Sequence, residues 1–142
     1  MSVLKESLSV PFKATEMYMI VNDVKAYPEF LPWCVGAEIL HQDENSMRAK
    51  ISIRKGRFAY SLTTFNQLFP CRVIELDFVE GPFKCFQGRW RFDSAEEGCL
   101  VQLDLDFEAK NRIVDMALAA ASRPVAARLM TAFRDRAYKV CG

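Results

Sequence analysis

Residues 86–108 read FQGRWRFDSAEEGCLVQLDLDFE, and the period of this stretch decides the fold. Phe86, Gly88, Trp90 and Phe92 alternate with Gln87, Arg89 and Arg91, and beyond Glu96-Glu97-Gly98 the residues Val101, Leu103, Leu105 and Phe107 alternate with Gln102, Asp104, Asp106 and Glu108. A strand sends successive side chains to opposite faces, so the stretch reads as a hairpin with one aromatic face and one charged face. On the charged face Arg89 and Arg91 are expected to meet Asp104 and Asp106 across the strands. Working back toward residue 36, the same period holds. Met47, Ala49, Ile51 and Ile53 oppose Arg48, Lys50, Ser52 and Arg54; Lys55-Gly56 makes a turn; Phe58, Tyr60 and Leu62 follow, then Ile74, Leu76 and Phe78. Four or five antiparallel strands are expected over 36–108, with a single buried face.

At the N-terminus SVLKESLSV (2–10) alternates in part, with Leu4, Glu6, Leu8 and Val10 on one side, and stops at Pro11, which cannot donate to a ladder. Ala14, Met17, Tyr18 and Val21 then recur at helical spacing, and Asn22-Asp23 can end that helix and cap a second short one. The next eight residues, YPEFLPWC (27–34), hold two prolines among Tyr27, Phe30, Leu31 and Trp33. They predict an irregular exit, yet one too apolar for an ordinary surface connection, so either the core or a bound molecule must cover the rings. Past Asn111 the composition turns to Ala, Leu, Met and Arg, with an apolar row at Ala126, Met130, Phe133, Ala137 and Val140 that predicts a long amphipathic helix. Pro124 lacks a backbone donor and predicts a kink or restart between Ser122 and Pro124. The order of elements predicts one α+β domain, 1–142, in which a curved antiparallel sheet wraps around the long C-terminal helix; such packing often leaves a cavity between the two.

Composition narrows the function. Of 142 residues, 51% are hydrophobic and 26% charged, and the net charge of +1 gives no global pull toward nucleic acid or membranes. Five cysteines without a CxxC pair argue against a disulfide framework and a zinc site. His41 is the only histidine, which excludes a multi-histidine metal site; it reads as a strand residue without catalytic work. No run is apolar and long enough for a signal peptide or a spanning helix, so a cytoplasmic location is expected. Glu80 and Glu108 lie near strand ends with no paired nucleophile, metal set or phosphate loop, so no catalytic residue is assigned and the chain reads as a non-enzyme.

Four segments in order, YPEFLPWC (27–34), VEGPFKCFQGRWRF (79–92), LDFEAKN (105–111) and AFRDRA (132–137), resemble the START-like coenzyme Q binding proteins. That family lies within the polyketide cyclase/dehydrase-like superfamily and includes bacterial ribosome-association toxins. The resemblance implies a helix-grip fold, an incomplete barrel around the C-terminal helix that encloses an apolar tunnel. It implies ubiquinone or another polyisoprenoid lipid as bound ligand, with no cofactor, in support of respiratory quinone function or biosynthesis. Its alternative is a toxin that binds the large ribosomal subunit and blocks subunit association. Cyclases on related folds add an enzymatic alternative by analogy. Pro124 departs from the family pattern, in which the last helix is unbroken.

The tunnel wall expected from the pattern and the resemblance has three parts. Tyr27, Phe30, Leu31 and Trp33 border the mouth; Phe78, Phe86, Trp90, Leu105 and Phe107 come from the sheet; Met116, Ala120, Ala127 and Met130 come from the helix, beside Ala117 and Ala126. Small and pliable side chains opposite large rings leave space for an elongated guest. The plainer reading has the 27–34 loop tucked under the core and the small residues letting helix and sheet close up. Two basic runs stand out against the neutral total, one at Arg48, Lys50, Arg54, Lys55 and Arg57, the other at Arg128, Arg134 and Arg136 with Arg123 and Lys139. A solvated face is their default reading. Otherwise they hold anionic headgroups of the inner membrane surface during lipid exchange, at about 1 kcal/mol per residue, or contact ribosomal RNA phosphates.

Overall fold

In the computed structural model, residues 2–142 are described, with side chains at 3–116 and 126–142. Strand β1 (Ser2–Val10) leads into α1 (Ala14–Asn22), a 3-10 turn (Val24–Ala26) and the one-turn helix α2 (Tyr27–Phe30). Then come β2 (Cys34–Gln42), β3 (Ser46–Lys55), β4 (Phe58–Phe69), β5 (Val73–Glu80), β6 (Phe83–Ala95), β7 (Gly98–Ala109) and the helix α3 (Arg112–Cys141). All strands join one antiparallel sheet in the order β1-β7-β6-β5-β4-β3-β2. Successive hairpins build it outward from β7 to β2, and β1 closes onto the free side of β7, with Leu4 opposite Leu105. The sheet curves over α3, which packs on β1, β7, α1 and α2. This is the helix-grip architecture that the element order and the family resemblance implied.

The alternation holds in detail. Met47 and Ala49 on β3, Ile74 on β5, Trp90 and Phe92 on β6, and Val101, Leu103 and Phe107 on β7 are all buried, while Arg48, Gln87, Arg89 and Asp106 are exposed. Six strands, where four or five were expected, occupy the region after Cys34. The extra one is β2, whose period is broken by register shifts at Cys34/Gly36 and Ile39/His41. On the charged face Arg91 donates to Asp104 Oδ2 at 3.3 Å, but Arg89 turns to Glu75 on β5, at 3.0 Å, instead of Asp104 or Asp106.

Three further expectations are corrected. YPEF is not irregular: Pro28 sits in the first turn of α2, where no intrahelical donor is needed, and Leu31 N–H donates to Tyr27 O at 2.8 Å. Val140 is 58% exposed, and Cys141 takes its place against the core, because a 3.6-residue step from buried Ala137 falls between the two. The element α3 spans Pro124 as assigned, so it does not restart. The kink expected at 122–124 concerns residues 117–125, which lie outside the described side chains, as do Ala117, Ala120 and Arg123.

Candidate functional site

Between the concave face of the sheet and α3 lies a cavity of about 740 Å³, within the range of roughly 300–1,000 Å³ typical of small-molecule sites. Its origin is the division of the core. One cluster fills the end of the sheet under α1, α2 and the last turns of α3, centred on Met17, Val101 and Phe133. A small second cluster, Leu62, Phe83 and Phe107, fills the other end. The hollow runs between them, walled by Ala49, Leu62, Leu76, Leu103 and Leu105 on the sheet and by Ala126, Leu129 and Phe133 on the helix. Gly88 shapes it, since a Cβ there would stand 2.8 Å from Leu105 Cδ2 and 2.9 Å from Leu76 Cδ1.

The opening is marked by wall residues that also meet solvent: exposed Lys55 and Gly56 in the β3–β4 turn, and half-buried Trp33 and Phe58. Trp33 has φ 64°, a left-handed backbone that a bulky side chain rarely adopts, at a cost of roughly 1–3 kcal/mol. Arg54 N–H holds that backbone by donating to Trp33 O at 2.9 Å. Two cations lie over the indole: Lys55 Nζ is 4.8 Å from the ring centroid and Arg128 Cζ 5.0 Å. The two basic runs, separate in sequence, thus converge on one ring.

Of the expected wall, Tyr27, Leu31, Trp33, Phe86, Trp90, Leu105 and Phe107 border the cavity. Phe30 does not; it packs edge-on against Tyr27 and Phe133 and carries Arg136 over its face at 5.0 Å. Phe78 is likewise withdrawn, 6.2 Å from Phe83 in an edge contact. Met130 is core, 3% exposed, behind the wall. Met116, 69% exposed, and Ala127, also exposed, point away from the hollow, because the inward face of α3 runs through Ala126, Leu129 and Phe133. Ala120 lies outside the described side chains. Among the wall residues missed altogether are Val24, Leu129, Phe83, Thr64 and Asn66. A register shift between Phe83 and Cys85 turns Phe83 inward against the alternation of 86–92, which no sequence period reveals. Thr64 and Asn66 continue the inward face of Phe58, Tyr60 and Leu62, and that extrapolation was open to view.

The basic surface is less free than its composition. Arg136 reaches Glu29 at 3.5 Å and Arg134 its neighbour Asp135 at 3.4 Å. Arg48 and Lys50 face outward on β3, with Glu38 opposite Lys50 in the register.

Polar groups on the wall are few. The Thr64 hydroxyl donates to Asn66 Oδ1 at 2.7 Å, which leaves the Asn66 amide hydrogens as donors on that wall, with the Tyr60 hydroxyl on the same strand. Eight residues along β4 separate Phe58 from Asn66, about 26 Å at ~3.3 Å per residue, which places this pair deep. Burial pushes the Tyr60 and Tyr27 phenols up, and Tyr27 O–H donates to Val21 O. Burial likewise raises the Cys34 thiol, which donates to Gly36 O at 3.4 Å; this is an inert packing role. All five cysteines are free. His41 sits exposed on β2, 3.8 Å from Asp43. Among the described residues no three His, Cys, Asp or Glu gather in metal-binding geometry, and no helix is long and apolar enough to cross a membrane.

Comparison with known proteins gives a consistent picture. A family model described as polyketide cyclase/dehydrase and lipid transport matches residues 10–134. The ribosome association toxin RatA of Escherichia coli K12 is 36% identical over 141 residues, 99% of this chain and 89% of that one. A coenzyme Q-binding protein COQ10 homolog B of Xenopus laevis, mitochondrial, is 23% identical and covers 96% of this chain and 58% of its own length. Among solved structures, the Zhui aromatase/cyclase of Streptomyces sp. R1128 superposes with a TM-score of 0.85 at 18% identity, over 99% of this chain and 98% of that one; at that identity the likeness is one of fold.

Proposed function

The chain belongs to the polyketide cyclase/dehydrase and lipid transport family, and on that premise we propose that it is a ribosome-association factor of the RatA kind, a non-catalytic protein that docks on the large ribosomal subunit and opposes subunit joining. The observation that carries this reading is the 36% identity to a ribosome association toxin along 99% of the chain. The basic strip of Arg48, Lys50, Arg54 and Arg57, with Lys55 at the rim of the cavity, suits RNA phosphates, which bind by charge without base readout. A non-catalytic role is supported by the relatives, one named a ribosome association toxin and another a coenzyme Q-binding protein. Ribosomes place the action in the cytoplasm. The test is cosedimentation with purified large subunits. Reversal of Arg54, Lys55 and Arg57 to Glu should lower binding at least tenfold in a protein that still folds; undiminished cosedimentation, or none by the parent protein, overturns the reading.

A second reading has its own support in the apolar cavity. We infer that it takes a long-chain ligand, ubiquinone or another polyisoprenoid lipid, through apolar burial worth about 25 cal/mol per Å², with transient contact at the inner membrane surface during exchange. Mass spectrometry of an organic extract of the purified protein tests it, with a stoichiometric lipid expected. The two readings are separable, because reversal of Arg54 and Arg57 alone, which lie outside the cavity wall, strikes the first and obstruction at Ala126 strikes the second.

A further inference from the structure

We propose that the occupant of the cavity is an amphiphile with an anionic head, a carboxylate or phosphate, which Lys55 and Arg128 hold at the edge of Trp33 while its chain runs inward along Leu31 and Leu129. The inference rests on the ligand-binding reading of the cavity and narrows it from lipids in general to those with a charged head.

Three observations converge. The first is charge without a counter-charge. Lys55 and Arg128 come from different elements, β3 and α3, yet both lie about 5 Å from one ring centroid, so the two charges stand within about 10 Å of each other. Neither is in ion-pair contact with a carboxylate among the described residues, and what sets the two apart from the other unpaired cations is that they share the Trp33 ring. Two like charges on one ring gain from an anion bound near both, and a guanidinium with an ammonium can take a two-oxygen head. The second is position. Lys55 and Trp33 belong to the cavity wall at its solvent-facing end; a head held there stays hydrated on one side while the tail leaves water. The third is the cost of the arrangement. Trp33 is kept in a left-handed backbone while its ring borders the hollow and carries both cations, and strain of this kind gathers at sites of binding. A neutral head would make no use of the two charges.

The test compares two probes of the same tail, oleate below its critical micelle concentration and oleyl alcohol, by isothermal titration calorimetry, with oleyl phosphate added to rank the two anionic heads. The parent protein should bind oleate at least tenfold more tightly than the alcohol, with the ratio shrinking as salt rises. In Lys55→Gln/Arg128→Gln, checked for folding by circular dichroism, the ratio should collapse to near one. Equal affinities in the parent protein, or a preference that survives the double substitution, overturn the anionic head and leave the lipid cavity standing. Failure of all three probes overturns the cavity reading and the inference together. Should the double variant lose ribosome cosedimentation with its oleate preference intact, the two cations serve RNA and the inference falls.

Discussion

At the scale of single residues, two positions store their energetics in the backbone and in one carboxylate. Trp33 pays for a φ of 64° whatever its ring does, so two truncations should differ. Trp33→Gly should be more stable than Trp33→Ala by about 1 kcal/mol in urea unfolding, since only glycine adopts that conformation freely. Equal stabilities would mean the left-handed backbone is not kept in solution. Asp43 closes the β2–β3 turn by accepting from the backbone N–H groups of Asn45 and Ser46, each at 2.8 Å, and from the Ser46 hydroxyl. The Asn45 N–H, with the Ser46 hydroxyl next, holds its carboxyl below the usual range. A depressed folded value means the contribution is complete above the unfolded pKa and is lost as pH falls through the folded one. Carboxyl NMR titration should therefore find Asp43 below its model-peptide value, and Asp43→Asn should remove part of the acid-side loss of stability. Neither feature was legible in the sequence. A tryptophan with positive φ has no signature, and D-E-N-S reads as a turn without saying which group caps it.

Among the elements, α3 carries the sharpest contrast. Ala126 is 4% exposed and borders the cavity, while Ala127, one residue on, faces solvent. Ala126→Trp should abolish uptake of a bound lipid, and Ala127→Trp should leave it alone; uptake by both variants would place the ligand elsewhere. Phe133 ties α3 to both α2 and the sheet, with centroids 5.6 Å from Tyr27, 5.4 Å from Phe30 and 5.2 Å from Trp90. Its replacement by Ala should cost about 3–5 kcal/mol, measured by thermal or urea unfolding. Sequence periodicity reached this far. It found the strand faces, the row Ala126, Met130, Phe133 and Ala137, and the short helix before 27–34. It failed where the chain breaks its own period: at the bulge that brings Phe83 inward, at the irregular pairing of β2, and on the margin of the helix face, where a ~100° step per residue separates wall from solvent.

For the molecule as a whole, the net charge of +1 conceals a local excess that only the fold assembles, because two runs distant in sequence meet at one opening through Lys55 and Arg128. Their separate existence was plain from the sequence; their meeting was not, since it depends on how far the sheet curls over α3. The size of the hollow was hidden for the same reason: the same alternating residues would fill a flatter sheet solid. If the basic strip engages RNA, binding to the large subunit should weaken steeply between ~50 and ~200 mM salt, as counterion release requires; a flat salt profile in a sedimentation assay speaks for an uncharged contact. The placement of the two indoles has one more consequence. The chain has two tryptophans, and they stand at opposite parts of the same wall: Trp33 at the wet rim beside its cations, Trp90 inside, stacked on Phe92 at 6.4 Å. The protein thereby carries an unlabelled optical gauge, in which one emitter registers what arrives at the threshold and the other what has gone in.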